Sequence, residues 1–170
     1  MNDDYSKMIE LVSYMQKNFG DKVHSTIGRC EVNIDNMELE LGLKLPQSYK
    51  NMVNKFGTLI VMGDEFLGAP YNPKVTLLHR EEDTFSDSLV VVYRVGDGSL
   101  FCIDTSIEID GDNPVVFWDF GMENNERLGS KNFATFVIET IWKELLEDGY
   151  DVSEIQHLKP ANPGWQNAVV

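Results

Sequence analysis

Cysteine is scarce in this chain: Cys30 and Cys102 are the only two among 170 residues, too few for the disulfide framework of a small secreted domain. Cys102 also lies in the apolar run Leu100-Phe101-Cys102-Ile103, which reads as a buried strand carrying an inert thiol. Reduced thiols in a cytoplasmic protein are therefore expected. The three histidines, His24, His79 and His157, stand far apart and in no H-x-H, H-x-x-x-H or C-x-x-C frame, so neither a metal site nor a Cys-His nucleophile is expected. Glycine clusters once, at Gly96-Asp97-Gly98, between two strand-like runs and not before a helix, where backbone amides would cradle phosphate. Long apolar runs are absent: the longest, Leu89-Val90-Val91-Val92-Tyr93, is far short of a membrane span, and Met1-Asn2-Asp3-Asp4-Tyr5 is acidic where a signal peptide is basic. No membrane anchor or export signal is expected.

Basic residues are the remaining shortage. Lys and Arg number 14 against 28 Asp and Glu, a formal charge of −14, which opposes direct binding to nucleic acid wherever no local basic patch exists. The imbalance concentrates in residues 101–150, with 11 acids against 3 bases. Such a segment either steers a basic protein or binds cations, or else only solvates the surface. What is plentiful is ordinary core material, 42% hydrophobic and 11% aromatic, in a chain long enough to bury roughly two thirds of its unfolded surface without disulfide or metal.

Apolar residues at Tyr5, Met8, Ile9, Val12, Met15 and Phe19 recur at helical spacing before Gly20 and predict a first helix. A polar stretch around Ser25-Thr26-Ile27 follows. A short second helix is expected with Asp35 as N-cap, Glu38 as its capping-box acid and Gly42 beyond its end. Pro46 opens a third, about 46–56, with Tyr49, Met52, Val53 and Phe56 on one stripe up to Gly57. The period then changes: Leu59–Met62 and Phe66-Leu67 read as short strands about a Gly63-Asp64 turn, and Asn72-Pro73 caps a helix over about 73–82. Strands follow at Leu89–Val95, Leu100–Asp104 and Val115–Asp119, the first two forming a hairpin. Ser130 or Asn132 then caps a long helix through Phe133, Phe136, Val137, Thr140, Ile141, Glu144 and Leu145, closing at Gly149. The fold class expected is α+β, a mostly antiparallel sheet covered by helices in one domain over 1–150, with an extended tail over 151–170, packed through Trp165 or disordered.

Chemistry is harder to find. Aligning Gly111 of Glu108-Ile109-Asp110-Gly111-Asp112 with the glycine of a calcium loop puts Ser106 at the first ligand and Phe117 at the bidentate glutamate, so that loop is excluded. Glu81-Glu82 point apart on a helix and read as a solvated face. No catalytic residue and no cofactor is expected; mutually perturbed acids gathered in a cleft would reveal an enzyme instead. Candidate partner-binding residues are Glu108, Asp110, Asp112, Glu123 and Glu126, in the loops bracketing the strand at 115–119, together with Trp118, an anchor beside Asp119 or else core between Phe117 and Phe120. Glu139, Glu144, Glu147 and Asp148 compete with them but read as the solvated side of the last helix.

The stretch Glu38-Leu39-Glu40-Leu41-Gly42-Leu43-Lys44-Leu45-Pro46-Gln47-Ser48-Tyr49-Lys50, ending in Lys55-Phe56-Gly57, resembles the opening signature of the SUKH superfamily, the Smi/Knr-type domain. Phe101–Thr105, Asn113–Asp119 and Ser130–Phe136 follow in the family's order, and the likeness, over roughly 30–140, is nearest to YobK-type bacterial members. A second glycine after the signature helix is replaced by Thr58. The resemblance implies an α+β fold without catalysis and, for most bacterial members, a cytoplasmic immunity protein that binds and neutralises a cognate polymorphic toxin, often a nuclease. A basic nuclease cleft would suit a chain of −14. The alternative is a non-immunity adaptor or regulatory domain that binds a housekeeping protein.

Overall fold

The computed structural model describes residues 3–119 and 127–160. Helix α1 (Asp3–Asn18) buries Met8, Leu11, Val12 and Met15, with Asp3 and Asp4 at its positive end and Lys17 at its negative one. The polar stretch that follows holds an unexpected strand, β1 (Val23–Ser25), which pairs antiparallel with β2 (Leu59–Val61); β2 in turn pairs with β3 (Asp64–Phe66). Only Val23 of β1 is buried, so alternation over three residues left no legible signal. The β2–β3 turn is Met62-Gly63, both at positive φ, one residue earlier than expected.

Helix α2 (Ile34–Leu41) is capped by Asn33, whose side chain accepts from Asn36 N–H at 3.0 Å; Asp35 is not the cap. Helix α3 (Gln47–Phe56) starts one residue after Pro46 and buries Tyr49, Met52, Val53 and Phe56 as its stripe predicts. Gly57 (φ +68) and Gly68 then bring two backbone segments together so closely that a Cβ on Gly68 would lie 1.9 Å from the Gly57 carbonyl oxygen. Thr58, the residue after Gly57, is buried: its hydroxyl accepts from Gly68 N–H at 2.9 Å and donates to the Ala69 carbonyl at 3.3 Å.

Strands β4 (Leu89–Arg94), β5 (Leu100–Asp104), β6 (Val115–Trp118) and β7 (Arg127–Ser130) make a second antiparallel sheet in that spatial order. β7 has no counterpart in the sequence reading, where Ser130 was a candidate cap. The cap of α5 (Phe133–Glu147) is Asn132, which accepts from Thr135 N–H at 2.9 Å. Alternation along β5 serves two cores. Phe101 and Ile103 face the large core shared with α1, α3 and α5, whereas Leu100 and Cys102 face a smaller one with Leu67, Phe85, Leu89, Val91, Val116 and Trp118. Both cysteines are free, Cys102 buried and Cys30 half-buried. Where an extended tail was expected, Ser153–Leu158 form a 3-10 helix that buries Ile155 and Leu158 in the large core; Trp165 lies outside the described residues. Among the described residues no helix is long and apolar enough to cross a membrane.

The open edge of β4 is covered in an unusual way. Helix α4 (Asn72–His79) turns Asn72, Pro73 and Thr76 inward and leaves Leu77 and Leu78 outside. Asn72 is the first helical residue and not the expected cap. Its amide nitrogen donates to the Val91 carbonyl, Thr76 Oγ1 accepts from Val91 N–H at 3.0 Å, and Thr76 Oγ1 donates to Asn72 Oδ1 at 3.2 Å. Leu67 N–H takes the Val92 carbonyl at 2.8 Å. Two side chains and one loop amide thus act as a missing neighbour strand and block edge-to-edge pairing. Replacing Thr76 with Val keeps the shape but strands a buried Val91 N–H, so a loss of about 1–3 kcal/mol is expected in denaturant unfolding, with Thr76→Ser recovering most of it.

Candidate protein-binding surface

Between β5 and β6 the acidic loop is pinned from inside. Asp104, 1% exposed, accepts at one carboxylate oxygen from Ser88 Oγ (3.1 Å), Ser106 N–H (2.9 Å) and Ser106 Oγ (2.6 Å). Thr105 donates its N–H and its hydroxyl to the Ser88 carbonyl, and Asn113 Nδ2 donates to the Ile107 carbonyl at 2.6 Å. At the tip, Ile109 and Asp112 exchange backbone hydrogen bonds of 2.7 and 3.1 Å around Asp110 (φ +52) and Gly111 (φ +82), a two-residue turn that Asp-Gly suits. Glu108 and Asp110 stand exposed on this fixed hairpin.

The other predicted residues are distributed differently. Asp112 is buried, with Oδ1 accepting from Asn113 N–H at 2.9 Å, so its charge is spent on the loop itself. Trp118 is no surface anchor. It is 2% exposed in the smaller core, edge-on to Phe85 at 5.4 Å and to His79 at 6.2 Å, with Nε1 donating to the Thr84 carbonyl at 3.4 Å. Glu123 and Glu126 lie outside the described residues. Among the competing acids of α5, Glu139 does not solvate the helix: it is buried and accepts from Ser130 Oγ.

Two acidic clusters were not legible in the sequence. Glu38, read as a capping-box acid, turns away from the helix end into the junction before α3. It accepts from Leu45 N–H at 3.0 Å and pairs with Lys44 and, at 3.4 Å, with Lys50. Burial opposes its ionisation, but the hydrogen bonds from Lys44 and Leu45 and the charge of Lys50 prevail and hold its carboxyl below the usual glutamate range. The signature glutamate is therefore a structural pin joining α2 to α3. In the second cluster Tyr93 donates to Asp64, with Glu144 close by on α5. Burial pushes the Asp64 carboxyl up against the opposing pull of Tyr93 and Lys143, and burial followed by the charges of Asp64 and Glu147 pushes Glu144 up. For both groups burial is the first cause and the charge of a neighbouring acid a lesser one. Among the described residues no group of three or more His, Cys, Asp or Glu is placed to hold a metal ion.

Residues 31–137, from the approach to α2 into the first turn of α5, match the family model described as SMI1-KNR4 cell-wall, SUKH_6. The chain belongs to the SUKH superfamily. The match spans the Glu38-to-Gly57 signature and all four strands of the larger sheet, so the Glu38 pin, the Gly57 turn and the acidic hairpin all belong to the SUKH domain, whereas most of α5 and the 3-10 helix after it pack on from outside the matched segment.

Proposed function

We propose that this SUKH domain is a cytoplasmic immunity protein that neutralises a cognate toxin by protein-protein contact, the toxin being a basic nuclease domain. The observation that carries the reading is the hairpin at 105–114, which holds Glu108 and Asp110 in solvent on a loop pinned by Asp104, in a family whose bacterial members the sequence resemblance links to toxin neutralisation. A charged group held in advance on a rigid loop meets a cationic cleft without the entropy cost of ordering that loop. The role requires no catalysis, and the buried acids Glu38, Asp104 and Glu139 all have structural tasks.

The test uses the toxin domain encoded beside the gene. Reversing Glu108, Asp110 and Glu126 to Lys should slow association by one or two decades at low salt and flatten its salt dependence, with folding stability little changed. Asp112 is left out because its carboxylate holds the loop. Equal association rates for variant and wild type would remove the acidic loops as the contact, and a wild type that does not bind the neighbouring domain would overturn the toxin reading. The cell-wall description of the matched family favours the adaptor reading as the second one, and a gene with no toxin neighbour would support it.

A further inference from the structure

Helix α4 is inside-out. Pro73 is inward and Val75 packs against the smaller core, but the inward Asn72 and Thr76 are committed to the edge of β4, and Tyr71 (51% exposed), Leu77 (37%) and Leu78 (63%) face solvent. Helix α2 adds Leu39, 80% exposed, two residues before the Leu41 carbonyl to which Arg80 Nη1 donates at 2.6 Å; Arg80 itself lies two residues after Leu78. The exposed leucines thus lie on two helices that Arg80 ties together. The charged residues around them are exposed as well: Glu40 beside Leu39, Lys74 on α4 itself, and Glu81, Asp83 and Asp87 in the loop leaving α4, four acids to one base. Only Asp87 approaches a cation among the described residues, its carboxylate 4.0 Å from Arg80 Nε.

We propose that the outer face of α4, with Leu39 of α2, is a docking surface for a basic amphipathic segment of the toxin, which supplies the apolar anchors while the 105–114 hairpin supplies steering. The assignment of the partner rests on the immunity reading; the surface does not. Charge selects the occupant. A second copy of this chain would set four acids and the single Lys74 against the same excess of acids, and an anionic lipid surface would meet that excess likewise, whereas apolar side chains set among Lys and Arg meet both the leucines and a rim that is acidic on balance.

The two contacts differ kinetically. Leu77→Asp/Leu78→Asp should raise Kd for the neighbouring toxin domain at least tenfold through faster dissociation, whereas reversal of the loop acids acts on association. Both leucines are exposed, so an unchanged melting temperature checks that the variant is folded. A second arm uses an 18-residue helical peptide of leucine and lysine, titrated into the full 15N-labelled chain, with a glutamate-for-lysine peptide as control. Amide shifts at 71–83 and 37–41 are expected with the lysine peptide only, and they should vanish in the variant. If the wild type binds no toxin but the lysine peptide maps to α4, the surface stands and the immunity reading falls. Toxin binding equal in variant and wild type overturns the surface and leaves the immunity reading intact. Peptide shifts confined to 105–114, or a wild-type dimer abolished by the leucine substitutions, overturn it too.

Discussion

Gly68→Ala is expected to leave the protein unable to fold to its native state, or to cost more than about 4 kcal/mol, the range reserved for strong overpacking and broken backbone contacts. The added methyl would lie 1.9 Å from the Gly57 carbonyl oxygen, 2.8 Å from its carbonyl carbon and 3.2 Å from Val53 Cγ2. The first two atoms are backbone and have no rotamer to yield, and Gly57 is itself held: a Cβ there would meet Thr26 Oγ1 at 2.2 Å at a φ of +68. Thr26 Oγ1 accepts from Thr58 N–H at 2.8 Å, Thr58 Oγ1 accepts from Gly68 N–H, and both hydroxyls donate to the Ala69 carbonyl, so separating the two segments would strand several buried groups at once. Gly96→Ala is the control, since nothing lies within 4 Å of its Cβ position and its φ is not positive. Soluble expression with a native circular dichroism spectrum for Gly68→Ala, or a loss below about 1 kcal/mol, would show that the Gly57–Gly68 contact does not hold the segment between β3 and α4 against the end of α3.

The second large effect is expected at Glu38, and its size should depend on which partner of the ion cluster is removed. Because its folded carboxyl lies below the unfolded one, Glu38 contributes stability that is present above the ordinary glutamate pKa, about 4.3, and lost as pH falls through the lower folded value. Glu38→Gln removes that component; it retains an acceptor for Leu45 N–H, so a cost of about 1–2 kcal/mol near neutral pH is expected, fading on acidification. Removing the cations instead, as Lys44→Met/Lys50→Met, leaves a carboxylate with only the Leu45 amide against its desolvation, so a deficit larger than that of Glu38→Gln is expected near neutral pH. The folded pKa of Glu38 should then rise above the unfolded one. The double variant should accordingly narrow its deficit relative to wild type as pH falls toward 4, as should Glu38→Gln, but from a larger starting value. Unfolding at pH 7, 5 and 4 decides it. A double-lysine deficit no larger than that of Glu38→Gln would mean that the lysines are only surface partners of a carboxylate held by the Leu45 amide.

The same residue shows where reading the chain in one dimension stops. A glutamate three residues after Asp35 fits capping-box chemistry, and nothing local distinguishes that role from a pin seven residues ahead, because the Leu45 amide comes within reach only once the Gly42 turn (φ +69) has folded the chain back. Trp118 is a similar case. An aromatic at a strand end serves as anchor or core according to which side of the sheet is covered, and that depends on Phe85 and Leu67, which arrive from loops far away in the chain.

What could be known beforehand were the properties set by neighbours in sequence. The 3.6-residue stripes of α1, α3 and α5, the Gly96-Asp97-Gly98 turn, the alternation along β4, β5 and β6 and the order of the SUKH signature all depend on spacings of a few residues, and each places one face of one element. Tertiary structure decided what spacing leaves open. It found a partner for the three-residue strand β1, set β7 at the sheet edge, buried Asp112 and Glu139 while leaving Glu108 and Asp110 in solvent, and turned α4 so that Asn72 and Thr76 face inward and its leucines outward. Transfer of apolar surface alone does not account for two exposed leucines on α4. An unpaired strand edge is costlier to bury than two leucines are to expose, and the other edge of β4 is left bare once β4 has paired with β5, an edge that α4 meets only in the folded chain.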